Sequence, residues 1–137
     1  MLTLKMEQGV LKCLLDFARA FASQDWKVIE MSLCEVIFID DNGHRGGDGT
    51  WMSREHYLSH LKKEFLDTHV SYQLSDLGIK MVGNQATCRS LFFLNRSAIG
   101  EETSLHSYGR STFHLTNAEQ GWQIEKIIRF FEGSQGD

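Results

Sequence analysis

The stretch from Leu105 to Phe131 limits the fold more than any other. Apolar and polar residues alternate along Leu105–Leu115 and again along Trp122–Phe131. Between them, Thr116-Asn117-Ala118-Glu119-Gln120-Gly121 is rich in turn formers. A period of two on both sides of a turn predicts a long β-hairpin. The rest of the chain reads as helices and strands that fold over one face of it.

From about Met6 to Ser23, Val10, Leu14, Phe17 and Phe21 recur at helical spacing, with Leu11, Leu15, Ala18 and Ala22 beside them. That is an amphipathic helix with a wide apolar stripe. Asp25 is placed to cap a short second helix starting at Trp26, which turns Ile29 and Leu33 inward. Val36–Ile39 predicts a strand running into Asp40-Asp41-Asn42-Gly43, which is turn chemistry. Residues 44–49 form a glycine-rich loop. Ser53 can cap a third helix, with Glu55 in its first turn and Tyr57, Leu58, Leu61 and Phe65 on one face. After Leu66 the period changes to two. Val70, Tyr72 and Leu74 alternate, then Leu77, Ile79 and Met81 in the opposite phase, so the slip at Ser75-Asp76 predicts a β-bulge. Gly83-Asn84 is a tight turn, Ala86–Asn95 the next strand, and Arg96–Thr103 a loop. The order is helix, helix, strand, helix, four strands. That is an α+β layout with three helices on one face of a mostly antiparallel sheet, expected as one domain over residues 1–137.

A net charge of −4 argues against nucleic acid as the main partner, because phosphate binding needs a basic face. No apolar run approaches the ~18 residues of a membrane span, and the first residues lack a signal-peptide layout. Cys13, Cys34 and Cys88 are scattered and odd in number. They read as small buried hydrophobes of a reducing cytoplasm, not as a disulfide or metal set. One feature strains the one-faced layout. Leu91-Phe92-Phe93-Leu94 and Ile127-Ile128-Arg129-Phe130-Phe131 are apolar on both strand faces. Helices cover one face only, so a homodimer through the outer sheet face is expected.

The layout, closing on Tyr108-Gly109-Arg110-Ser111-Thr112-Phe113-His114-Leu115 and Gly121-Trp122-Gln123-Ile124, resembles the nuclear transport factor 2-like superfamily, in its SnoaL-like and ketosteroid-isomerase-like branch. The resemblance covers nearly the whole chain. It implies a cone: a strongly bent sheet wrapped around the long first helix, with a pocket at the open end, in a superfamily where homodimers are common. Ketosteroid isomerase uses a carboxylate base and an oxyanion hole of a tyrosine and a protonated aspartic acid. Counted from Asp25, the base position of that resemblance falls on Asp41 and the tyrosine position on Phe17; with the last hairpin laid alongside, the acid position falls on or near Ser111. Phe17 donates no hydrogen bond and Ser111 is a weaker donor, so a steroid-isomerase mechanism is not expected.

Asp41, facing an apolar cone, would be desolvated and able to act as a general base; otherwise it is a solvated turn acid. His44 is the candidate acid–base partner, with Arg45 beside it. His56 and His60 have zinc-ligand spacing but lack the catalytic Glu and a third ligand, so no metal is expected, and no cofactor. The resemblance turns the Ser111 face of the hairpin into the pocket. The lining is then Phe17, Phe21, Tyr57, Cys88, Ser90, Phe92, Ser111 and Phe113, apolar with a few hydroxyls, suited to a hydrophobic or aromatic small molecule. A one-residue slip exchanges the faces and makes His106, Tyr108 and Arg110 the reactive set. Two functions stay open: a cofactor-independent acid–base enzyme of isomerase, dehydratase or cyclase type, and a non-catalytic ligand-binding or dimerisation module.

Overall fold

The computed structural model describes residues 2–41, 49–100, 104–119 and 121–136. The elements in chain order are α1 (Leu2–Ser23), α2 (Trp26–Met31), β1 (Leu33–Asp40), β2 (Thr50–Ser53), α3 (Arg54–Glu64), β3 (Thr68–Val82), β4 (Gln85–Ala98), β5 (Leu105–Ala118) and β6 (Gly121–Gly136). The strands form one six-stranded sheet in the order β2-β1-β6-β5-β4-β3. Every pair is antiparallel except β1 with β6, which is parallel. The α+β layout is as expected, with the long first helix on the sheet's inner face.

The local rules hold. Asp25 caps α2 by accepting from the Val28 amide, and Ser53 caps α3 by accepting from the His56 amide. α1 buries Val10, Leu14, Phe17 and Phe21, the stripe its spacing set out. Gln24 adopts a left-handed φ of 51° beyond α1, and its side-chain amide donates to the Phe65 and Thr68 carbonyls. One residue thus ends the helix and ties it to the start of β3. The bulge in β3 falls between Ser75 and Gly78, with Asp76 at a positive φ.

Three expectations need correction. Leu33 opens β1 and is not carried by α2, which ends at Met31. Arg96–Ala98 belong to β4 and not to a loop, because β3 begins early enough for Val70, His69 and Thr68 to pair with Arg96, Ser97 and Ala98. Thr50–Ser53 forms an additional strand, held by pairing Phe38 with Trp51 and Ile39 with Thr50. Four residues before a helix cap carry too little periodicity to announce a strand.

The register of the hairpin is the one that turns Ser111 inward. On β5, Ser107, Gly109, Ser111, Phe113 and Leu115 are buried, while Tyr108 and Arg110 are exposed. On β4 the inward set is Ala86, Cys88, Ser90 and Phe92. Ser90 and Ser111 face each other, and their hydroxyls lie 2.6 Å apart. Phe17, Phe92 and Phe113 are fully buried, each worth about 2–3 kcal/mol of transfer free energy. Around α1 the rings meet edge to face: Phe17 with Tyr72, Phe21 with Tyr72 and Phe65, and Phe92 with Tyr72 and Phe131. The outer face keeps Phe93 and Tyr108 close to half exposed, with Leu91, Ile128 and Phe130 partly covered. None of the described helices is long and apolar enough to cross a membrane.

Candidate functional site

The polar centre of the cone is built on β6. Ile124 and Ile127 are both buried although three residues apart, because the pairing with β5 shifts between His114 and Leu115. A second shift follows between Tyr108 and Gly109. Between the two bulges the strand turns Ile127 and Arg129 inward and leaves Ile128 and Phe130 outside. Arg129 therefore enters the inner layer, with only 9% of its side chain exposed.

A guanidinium so buried needs acceptors. Asp40 pairs in parallel with Ile128, which brings the next residue, Asp41, beside Arg129. Arg129 Nη1 donates to Asp41 Oδ1 at 2.9 Å. Tyr72, on the inner side of β3, accepts from Arg129 Nε and Nη2, both at 3.3 Å. Tyr57, on the buried face of α3, borders the same cluster and feels the Arg129 charge. Burial pushes the Tyr57 phenol up to about 12 and raises that of Tyr72 as well, each partly offset by Arg129. Both phenols are thus neutral at physiological pH. Burial works against the charge on Arg129, but Tyr72, Asp41 and Tyr57 outweigh it and hold the guanidinium protonated.

A cavity of about 100 Å³ opens beside this cluster, between α3 and the sheet. Asp41, Tyr57, Tyr72 and Arg129 border it, with Phe21, Leu61, Phe65, Leu94, Ser107 and Phe131. At its rim Glu64 bridges two elements. One oxygen receives Arg96 Nη1 at 2.6 Å, and the other lies 3.3 Å from His60 Nε2.

Of the residues singled out in the sequence, Asp41, Phe21 and Tyr57 border this cavity. His44 lies outside the described residues, as does Arg45. Phe17, Cys88, Ser90, Phe92, Ser111 and Phe113 do not border it. Their rings fill the cone, and the two serine hydroxyls satisfy each other. Nor is Asp41 a desolvated carboxylate. β1 ends at the rim, so its side chain is 45% exposed and ion-paired. Arg129, Tyr72 and Ser107 are not among the site residues singled out in the sequence, although Tyr72 sits in an alternating run, Arg129 interrupts an apolar one and Ser107 shares the strand face of Ser111. Among the described residues no three His, Cys, Asp or Glu side chains gather as a metal site.

No protein-family model matches the sequence, and no curated protein is similar to it. Solved structures do match. A nuclear transport factor 2-like protein from Cytophaga hutchinsonii superimposes with a TM-score of 0.73 at 11% identity, over 91% of this chain and 97% of that one. The chain has the nuclear transport factor 2-like fold. Kfla4162 from Kribbella flavida shares it at a TM-score of 0.89 and 8% identity, over 97% and 95% of the two chains. A hexachlorocyclohexane dehydrochlorinase shares it at 0.82 and 8%, over 98% and 90%. At such identities the nuclear transport factor 2-like likeness concerns the backbone alone, and chemistry has to be argued from side chains.

Proposed function

We propose that this chain binds a small, largely hydrophobic molecule at the mouth of the cone and acts on it by cofactor-independent acid–base chemistry, with Asp41 as general base. The observation that carries this reading is the placement of one carboxylate among hydrogen-bond donors. Asp41 Oδ1 is held by Arg129, and Oδ2 has no partner among the described residues, so it is available to take a proton. The neutral Tyr57 and Tyr72 phenols and the Arg129 cation border the same cavity, and would stabilise negative charge developing on a substrate bound there. Isomerisation, dehydration and related eliminations can each be started by such a proton transfer. The fold is shared with a hexachlorocyclohexane dehydrochlorinase, which suits an elimination but does not specify one. Three unpaired thiols suit a reducing cytoplasm.

One observation favours a non-catalytic binding module instead. The cavity, at about 100 Å³, is smaller than the ~150 Å³ that encloses benzene, and aromatic rings fill the cone below it. A ligand then enters with one end only. The partly exposed Leu91, Phe93, Tyr108 and Phe130 support a homodimer through the outer sheet face. Sedimentation at micromolar concentration tests this, and a monomer rules it out.

The functional test is a thermal-shift screen with aromatic and terpenoid-like compounds, followed by proton NMR of each stabilising compound in D₂O. Exchange of a ligand C–H with wild type, and its loss in Asp41→Asn, is the expected result. A ligand that stabilises both proteins equally and exchanges with neither makes the chain a binding module.

A further inference from the structure

The hydrogen-bond inventory of the cavity is one-sided. Arginine only donates. Tyr72 must therefore accept from Arg129, and its phenol hydrogen is left for another acceptor, while Tyr57, which borders the same cavity, makes no side-chain hydrogen bond among the described residues. Ser107 repeats the pattern: it is 7% exposed, faces inward on β5, borders the cavity and has no hydrogen-bond partner among the described residues. Three hydroxyl donors and a buried cation thus surround one small space. The carboxylates at hand are held by arginines, Glu64 by Arg96 and Asp41 through Oδ1 by Arg129, and neither receives one of these hydroxyl hydrogens among the described residues.

Among the described residues no buried side-chain N or O atom lacks a hydrogen-bond partner, so these hydroxyls open onto the cavity, where a group that only accepts can take all of them. A ketone oxygen offers two lone pairs. A carboxylate offers about four, with a charge that suits Arg129. The size agrees, since about 100 Å³ suits a carboxylate and its first carbons and is smaller than the ~150 Å³ cavity that binds benzene.

We propose that the cavity recognises the carboxylate end of a small organic acid, held by Ser107, Tyr57, Tyr72 and Arg129, with the apolar remainder of the acid lying at the mouth beside Phe131 and Leu94. This rests on the reading of the cavity as the ligand site and names the ligand class for it. Asp41 shares Arg129 with the incoming group and repels it.

The test uses the full chain with arginine side chains labelled with ¹⁵N, titrated with acetate, with neutral acetamide of the same shape, and with inorganic phosphate. Acetate should shift the Arg129 Nε resonance saturably, and acetamide and phosphate should not. Ser107→Ala and Tyr57→Phe, both conservative in shape, should each weaken acetate about tenfold, as expected for a hydrogen bond to a charged group. Asp41→Asn should bind acetate more tightly, because a competing charge is gone. Equal binding of acetamide, preference for phosphate, or acetate affinity indifferent to Ser107→Ala and Tyr57→Phe overturns the proposal. The two readings fail separately. Asp41→Asn abolishes proton exchange if Asp41 is the base, whereas it strengthens carboxylate binding if the cavity is a carboxylate site.

Discussion

Arg129 and Asp41 lie 88 residues apart in sequence and 2.9 Å apart in space, and a double-mutant cycle measures what that contact contributes. Asp41→Ala leaves a buried cation with the Tyr72 phenol oxygen as its remaining acceptor among the described residues. A hydrogen bond to a charged group is worth about 1.5–3 kcal/mol, whereas a fully exposed pair gives about 0.2–1. Asp41 is 45% exposed and Arg129 only 9%, so the contact falls between these ranges, at about 1–2 kcal/mol. Arg129→Met deletes the cation together with its desolvation cost, and so loses less than its bonds suggest. The cycle of wild type, Asp41→Ala, Arg129→Met and the double variant, followed by urea unfolding, should give a coupling of about 1–2 kcal/mol. For a chain of this size that corresponds to about 3–8 °C in Tm. Coupling below about 0.3 kcal/mol means that the pair does not form in solution, and the site geometry built on it fails.

Other outcomes follow from packing and titration. Phe92→Ala, which removes a fully buried ring touching Tyr72 and Phe131, should cost about 3–5 kcal/mol in urea unfolding. Gly109→Ala would drive a methyl group into the Phe130 carbonyl across the bulge, so a loss of at least about 1–3 kcal/mol is expected in the same assay. Stability should fall in alkali. The Cys13 and Cys88 thiols are raised to about 12 and about 11, mainly by burial, and Tyr57 to about 12. The unfolded chain therefore loses these protons first, and stability drops as pH rises from 9 toward 12. Cys13→Ala should flatten that slope, which Tm against pH will show.

How much could be read in advance depended on what each residue type signals. The Val10, Leu14, Phe17 and Phe21 stripe and the Asp25 and Ser53 caps are local features, visible without the fold. The register of β5 was legible because its small residues share one parity. The site was not legible, because it depends on two shifts of strand register around Arg129. Those bulges carry no turn signature, so Ile127-Ile128-Arg129-Phe130-Phe131 reads as a two-faced apolar strand instead of an inward cation. Asp41 was correctly located at a strand end, but its partner is fixed by the parallel pairing of β1 with β6, which no local pattern contains. Ser107 differs from Ser111 only in what lies across from it. Ser111 meets Ser90, while Ser107 meets Leu94 and is left with a free hydroxyl.

The parallel seam also sets an order of assembly. β6 is the last strand in the chain, yet it lies inside the sheet, between β1 and β5. During synthesis, helices α1 to α3 and the β3–β4 hairpin can form while the slot beside β1 stands empty. Until β6 leaves the ribosome, β1 shows an unpaired edge and Tyr72 lacks its guanidinium. A chain cut short before Gly121 would keep the residues of all three helices and of strands β1 to β5, yet present open strand edges of the kind chaperones and proteases act on. The closing of the sheet and the arrival of Arg129 are one event, so a nascent chain acquires its polar centre only when its architecture is complete.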